Sequence, residues 1–164
     1  MRIDISEILV DRVGARVDLE VDRESHQLSE DVSVSFLKGT LHLWRTTEGI
    51  WVRGSLAAGL DLQCVRCLTS CPKQVEIDLD ERFRFPPIPA SEVDQVYPIE
   101  MDHHIDLTPA LRELVIVSTP MHVLCREDCA GLCPTCGHDL NEGPCDCEAD
   151  DVDPRMAALR ALLT

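Results

Sequence analysis

Residues 50–64 read IWVRGSLAAGLDLQC, and residues 75–85 read VEIDLDERFRF. Ile50, Val52, Gly54, Leu56, Ala58, Leu60, Leu62 and Cys64 share one parity, while Trp51, Arg53, Ser55, Asp61 and Gln63 take the other. Successive side chains of a strand point to opposite faces, so this is a long strand with one apolar face. Val75, Ile77, Leu79, Phe83 and Phe85 repeat the pattern, broken at Glu81. The two runs predict an antiparallel hairpin. Its connection, CVRCLTSCPK, puts Cys64 and Cys67 at the hairpin end, where the strands would fix the separation of two thiols.

Working upstream, Val17, Leu19 and Val21 alternate with charges and predict a half-buried strand over 16–22. Residues 23–31 are polar and read as a loop. Val32, Val34 and Phe36 alternate again, Lys38-Gly39 reads as a break, and residues 40–46 form a further strand candidate. Residues 3–10 (IDISEILV) suit either a short helix or an edge strand. Downstream, Pro86-Pro87-Ile88-Pro89 ends the pattern, and 86–104 reads as a Pro-rich acidic loop with a brief extended piece near Tyr97–Ile99. A helix is predicted near 108–118, with Thr108 as its cap, Pro109 at the first helical position, and Leu107, Ala110, Leu111, Leu114 and Val115 as its apolar stripe. Asp153-Pro154 opens a last helix by the same logic. The expected fold is α+β: mainly an antiparallel β-sheet, meander or barrel-like, with few helices and a C-terminal zinc-binding segment. The expected divisions are a β-rich core over 1–124, a cysteine-rich segment over 125–150, and a C-terminal helix over 151–164.

That cysteine-rich segment holds six of the nine cysteines: CREDCAGLCPTCGHDLNEGPCDC spans 125–147. Cys133-Pro134-Thr135-Cys136-Gly137 is a zinc-knuckle pattern, in which two thiolates face one ion and the glycine permits a positive φ. Spacing divides the ligands. Cys133, Cys136, Cys145 and Cys147 can close one local site, and Cys125 and Cys129 then pair with Cys64 and Cys67 to tie the hairpin end to the segment after the main helix. Cys71 is left over, and His138 is a spare ligand. Cys145-Asp146-Cys147 is an unusual CxC, which reaches one ion only if the chain bends at Gly143-Pro144. Two structural Zn²⁺ ions are expected, because a closed four-thiolate site leaves no position for substrate.

The competing cysteine chemistries fit less well. Cys129, Cys133 and Cys136 have the spacing of a radical-enzyme iron–sulfur loop, but only 28 residues follow Cys136. Thioredoxin-like use of Cys64 and Cys67 expects a following helix, and a strand-period run follows instead. Cys71 has no obvious histidine partner, since His26, His42, His103, His104, His122 and His138 are scattered. With no Gly-rich phosphate loop and no paired-carboxylate site, the chain reads as non-enzymatic.

The 164-residue chain carries a net charge of −15, unevenly spread. The ends are acidic and the middle, 38–84, is near neutral, so the ends suit basic protein partners and repel bare nucleic-acid backbone. Trp44, Arg45, Trp51, Arg53, Arg66, Lys73, Arg82 and Arg84 collect in that middle, and Trp51, Arg53, Arg66 and Arg84 are the candidate RNA-contacting set. No apolar run reaches the length of a membrane span, and Met1-Arg2-Ile3-Asp4 does not open a secretory signal. A cytoplasmic chain without a membrane partner is expected, in a reducing setting where many cysteines point to metal or redox chemistry rather than disulfides.

The chain resembles the YceD-like family, also known as domain of unknown function 177. The resemblance rests on GSLAAGLDLQCVRCL (54–68), on Ile105-Asp106-Leu107-Thr108, on CREDCAGLCPTCGHDLN (125–141), and on Asp153-Pro154-Arg155 with the final Leu-rich turn. It implies a role in synthesis, processing or stability of 23S rRNA, hence in ribosome biogenesis, with large-subunit ribosomal proteins or pre-ribosomal particles as partners. It supplies no catalytic residue. The alternatives are an RNA-binding or nuclease-adaptor module and a redox-sensitive zinc switch.

Overall fold

A computed structural model describes residues 1–30, 32–91 and 96–147. The predicted hairpin is its spine. Strand β4 (Gly49–Gln63) pairs antiparallel with β5 (Ser70–Arg84) over their whole lengths, from Gly49↔Arg84 to Gln63↔Ser70. Before them come β1 (Arg2–Asp4), α1 (Ser6–Val10), β2 (Arg16–Gln27) and β3 (Ser33–Arg45). After them come β6 (Tyr97–Pro98), β7 (His104–Asp106) and α2 (Thr108–Ser118). The large sheet has the order β2-β3-β4-β5-β6, and β1 and β7 form a separate pair.

The meander expectation therefore describes β2 to β5, but the barrel does not close. Strands β2 and β6 are the two sheet edges. Strand β6 has two residues, runs parallel to β5, and includes a proline with no N–H to offer a further strand. The apolar sheet face is closed by other elements instead of by the sheet curling on itself. Leu37, Leu41, Val52, Leu56, Ala58, Ile77, Leu79 and Phe83 are buried there with Ile5 just before α1, Ile8 of α1, Ile105 of β7, and Ala110, Leu111 and Val115 of α2. The segment 3–10 supplies both candidates, strand then helix. Within α2 the cap differs from expectation. No side chain caps the helix; Asp106 instead accepts the Thr108 N–H at 2.9 Å and the Thr108 hydroxyl at 2.6 Å.

Two further boundaries differ. Gly39 is no break, since β3 passes straight through it. A Cβ at Gly39 would lie 2.3 Å from the Ser55 carbonyl oxygen and 2.9 Å from Leu56 Cδ2, so glycine is what lets β3 and β4 approach. Strand β2 continues to Gln27, through residues whose side chains are mostly solvent-facing. The last predicted helix lies outside the described residues.

The opposite sheet face carries no covering layer among the described elements. Its register rows read Arg16–Trp44–Trp51–Arg82, then Asp18–His42–Arg53–Asp80. Further along, β2 presents Glu20, Asp22 and Glu24, and β5 presents Asp78 and Glu76, all exposed. One end of this face is thus aromatic and arginine-rich, and the remainder is strongly acidic.

Candidate metal centres

Eight cysteines meet in two groups of four. Cys64, Cys67, Cys125 and Cys129 form one, and Cys133, Cys136, Cys145 and Cys147 the other; within each, the Sγ atoms all lie within 4.8 Å of one another. The first group forms where β4 ends. The Cys64 carbonyl accepts the Leu68 N–H at 2.9 Å, closing the CxxC turn, and the chain then turns back into β5. The post-helix segment is laid against this turn: Val65 N–H donates to Val123 O at 2.9 Å, Leu132 N–H to Arg66 O at 3.2 Å, and the Arg66 guanidinium to Cys129 O at 2.8 Å. Cys64 and Cys129 are 0% and 2% exposed, so the hairpin end and residues 123–132 share a small buried core.

The second group repeats the turn. Cys133 O accepts the Gly137 N–H at 2.9 Å, and Gly137 has φ +73°. Leu68 holds the corresponding place in the first turn with φ +61°. Cys145 and Cys147 reach the same group because the chain bends before them, with Gly143 at φ +152°. His138 stands outside the sulfur cluster and takes part through its carbonyl, which accepts the Cys133 N–H at 2.8 Å. Cys71 belongs to neither group; it is buried beside the first, with its thiol on the Thr69 carbonyl.

The donor sets fit a tetrahedral soft cation. At a Zn–S distance of about 2.3 Å the tetrahedron edge is about 3.8 Å. Cys64 and Cys129 Sγ are 3.8 Å apart, and Cys67 and Cys125 Sγ are 3.6 Å apart. Both separations far exceed the roughly 2.05 Å of a disulfide. The thiols are graded in acidity. Backbone N–H groups of Cys67 and Arg66 bring Cys64 down to about 6, and those of Cys136 and Thr135 do the same for Cys133. Lost hydration and the surrounding sulfurs push Cys125 up to about 12; Cys136, lost hydration and Cys133 do so for Cys147. Cys67 is lowered as well, by the Thr69 hydroxyl and backbone. In each group some thiols ionise readily, and the full set ionises only around a cation that offsets the crowded charge.

The residues singled out for RNA contact divide. Trp51, Arg53 and Arg84 gather at the Gly49 end of the outer sheet face, whereas Arg66 sits in the first cysteine turn, twelve strand residues or about 40 Å farther along. Trp44 and Arg82, which the sequence placed in the same basic and aromatic middle but outside that set, stand beside Trp51, and Arg16, which sequence reading missed, joins them through strand register. Sequence reading also missed Asn141. Its carboxamide oxygen accepts from Ala130 N–H at 2.8 Å and Arg126 at 2.7 Å, and its nitrogen donates to Cys129 Sγ at 3.5 Å.

Residues 52–163 match the family model described as large ribosomal RNA subunit accumulation protein YceD. The chain is 32% identical over 165 residues to an uncharacterized protein of Mycobacterium tuberculosis, covering 99% of this chain and 69% of that protein. It is 36% identical over 103 residues to the uncharacterized protein YlbN of Bacillus subtilis, covering 62% and 59%. It is also 31% identical over 77 residues to the chloroplastic large ribosomal RNA subunit accumulation protein YCED homolog 1 of Arabidopsis thaliana, covering 47% and 20%. No solved structure matches the chain.

Proposed function

Because the chain belongs to the family of the large ribosomal RNA subunit accumulation protein YceD, we propose that it is a non-catalytic ribosome-biogenesis factor. It supports synthesis, processing or stability of 23S rRNA in the cytoplasm. Two structural zinc ions hold it together, one bound by Cys64, Cys67, Cys125 and Cys129 and the other by Cys133, Cys136, Cys145 and Cys147. When bound, each ion contributes folding energy of order ~10 kcal/mol and no open coordination position. The sulfur geometry above supports that assignment.

The factor works by protein contact, with a basic large-subunit ribosomal protein or a pre-ribosomal particle that carries one. The observation behind this is the acidic outer sheet face. Asp18, Glu20, Asp22 and Glu24 of β2 and Glu76, Asp78 and Asp80 of β5 all point to that side. Carboxylates on one twisted surface make a field that attracts cationic chains and repels phosphate backbone. The arrangement suits a chaperone-like role, holding a basic protein until rRNA takes it.

The test is a tagged pull-down from the native host, with and without nuclease. Large-subunit proteins should persist after nuclease and should be lost when Glu20, Asp22, Glu76 and Asp78 are changed to Lys. Capture of 23S precursor RNA alone, abolished by nuclease, overturns the protein-contact mechanism.

A further inference from the structure

We propose that the Trp44–Trp51 end of the outer sheet face is a binding site for unpaired bases of single-stranded RNA. The inference goes beyond the protein-contact reading and does not depend on it. It starts from placement. The chain has two tryptophans, and strand register sets them directly opposite each other on β3 and β4. Their rings are 5.3 Å apart between centroids and tilted by 37°, half-buried on the face that carries no covering layer among the described elements. Farther along that face the same two strands present His42 and Arg53, Thr40 and Ser55, Lys38 and Ala57, and Phe36 over Gly59, so the facing indoles are local to this end.

Cations flank the rings. Arg16 Cζ lies 5.3 Å from the Trp44 ring centroid and Arg53 Cζ lies 5.8 Å from that of Trp51. Asp18 pairs with Arg16 at 2.6 Å, and Asp80 pairs with Arg53 at 3.5 Å and accepts from Trp51 Nε1 at 2.6 Å, so these two guanidinium groups chiefly frame the rings. Arg82 completes the row as the partner of Trp51 on β5. Arg82 is exposed, and no carboxylate of the described residues pairs with it. An open groove of about 240 Å³ runs from Trp51 past Arg82 to the Thr46–Glu48 turn. Aromatic walls with arginine beside them suit a flat π-system that carries a phosphate on one side. The thread of hydroxyls at Thr46 and Thr47 offers polar partners to a base edge.

Other occupants fit less well. A duplex hides the faces of its bases, so stacking demands an unpaired strand. A basic protein segment meets Arg82 here, beside carboxylates (Asp18, Asp80 and Glu48) already paired with Arg16, Arg53 and Arg84, and is better served by the carboxylates farther along the same face. The acidic remainder also limits the footprint, since a long tract of backbone would run onto Asp22, Glu76 and Asp78. The site therefore takes a short stretch, at a loop, bulge or end. Its salt dependence is shallow: two phosphate contacts give a slope of about −1.4 in log K against log salt.

Titration of the full, metal-loaded chain with an eight-nucleotide single-stranded RNA, read by tryptophan fluorescence and by anisotropy of a labelled RNA, tests this. Quenching and binding are expected, with little binding of a matched duplex. Arg82→Glu, at an exposed position, should weaken binding about tenfold. Trp51→Ala should weaken it roughly ten- to a hundredfold, and Trp51→Phe should restore most of the loss. Circular dichroism and metal content confirm the fold of each variant; if Trp51→Ala fails that check, Arg82→Glu decides alone. Equal binding of duplex, unchanged affinity in Arg82→Glu, or binding of a basic peptide in place of RNA at this face overturns the proposal.

Discussion

The Asn141 carboxamide, from the loop that carries one cysteine group, donates to Cys129 Sγ of the other group at 3.5 Å. The same side chain holds the Ala130 N–H at 2.8 Å, so it fixes both the sulfur and the backbone beside it. Outer hydrogen bonds of this kind orient metal ligands and typically govern affinity by 10–100-fold. Asn141→Ala is therefore expected to speed zinc capture by a chromophoric chelator from the Cys64 group, about tenfold or more, with the Cys133 group less affected. Equal release rates from both groups in the variant would remove Asn141 from that role.

The two groups should also separate by metal count. Elemental analysis of the folded chain is expected to give two zinc ions, and Cys64→Ser and Cys133→Ser one each. The consequences differ. Losing the first site frees the hairpin end from residues 123–132, so Cys64→Ser should lower the thermal midpoint sharply. Cys133→Ser loosens a local loop and should leave sheet cooperativity largely intact. A wild-type chain with one ion or fewer contradicts the paired assignment.

Leu68 holds a backbone conformation that suits glycine. Its φ of +61° matches the +73° of Gly137 at the same place in the other turn, and its side chain is 60% exposed, so little packing depends on it. A non-glycine residue there costs roughly 1–2 kcal/mol, partly offset by glycine's larger entropy in the unfolded chain. Leu68→Gly should raise stability by up to about 1 kcal/mol in chemical denaturation. A loss of stability would mean that the exposed leucine contributes contacts that outweigh the strain.

Acid should weaken the junction between β7 and α2. Burial works against ionisation of Asp106, but the Thr108 hydroxyl and N–H together with the N-terminal ammonium hold it at about 2. Its folded value lies below the ordinary carboxylate value of about 3.9, so its contribution is complete above that value and is lost as pH falls toward 2. Wild type should exceed Asp106→Asn in stability at pH 7 by more than at pH 2.5. Parallel stability curves across that range would show that the carboxylate is not the source.

These residues also show what a sequence can and cannot disclose. The long hairpin is legible because β4 and β5 bury one face and expose the other, which imposes strict alternation on Ile50–Leu62 and Val75–Phe83. The division of cysteines into fours was legible from spacing. Strand β2 beyond Asp22 was not, because Arg23, Glu24 and Ser25 are exposed and carry no apolar period. Gly39 misled because its reason lies across the sheet, at Ser55 and Leu56. The Trp44–Trp51 pair and the Asn141–Cys129 contact depend on register and on loop closure, which no local pattern encodes.

The two edges of the large sheet have a consequence for self-association. Open edges present unpaired main-chain groups that can recruit a second copy, the first step toward polymers. Strand β2 carries Arg16, Asp18, Glu20, Asp22 and Glu24 on one side and Arg23 on the other, so two such edges brought together would set like charges against each other. On the other side β6 covers only Phe83 and Arg84, and the rest of the β5 edge carries Pro72, which has no N–H to donate, with the charged Lys73, Glu76, Asp78 and Asp80. The same charges that shape the outer face thus act as a barrier to fibre growth, and a chain stripped of them for crystallisation or engineering would lose colloidal stability before it lost its fold.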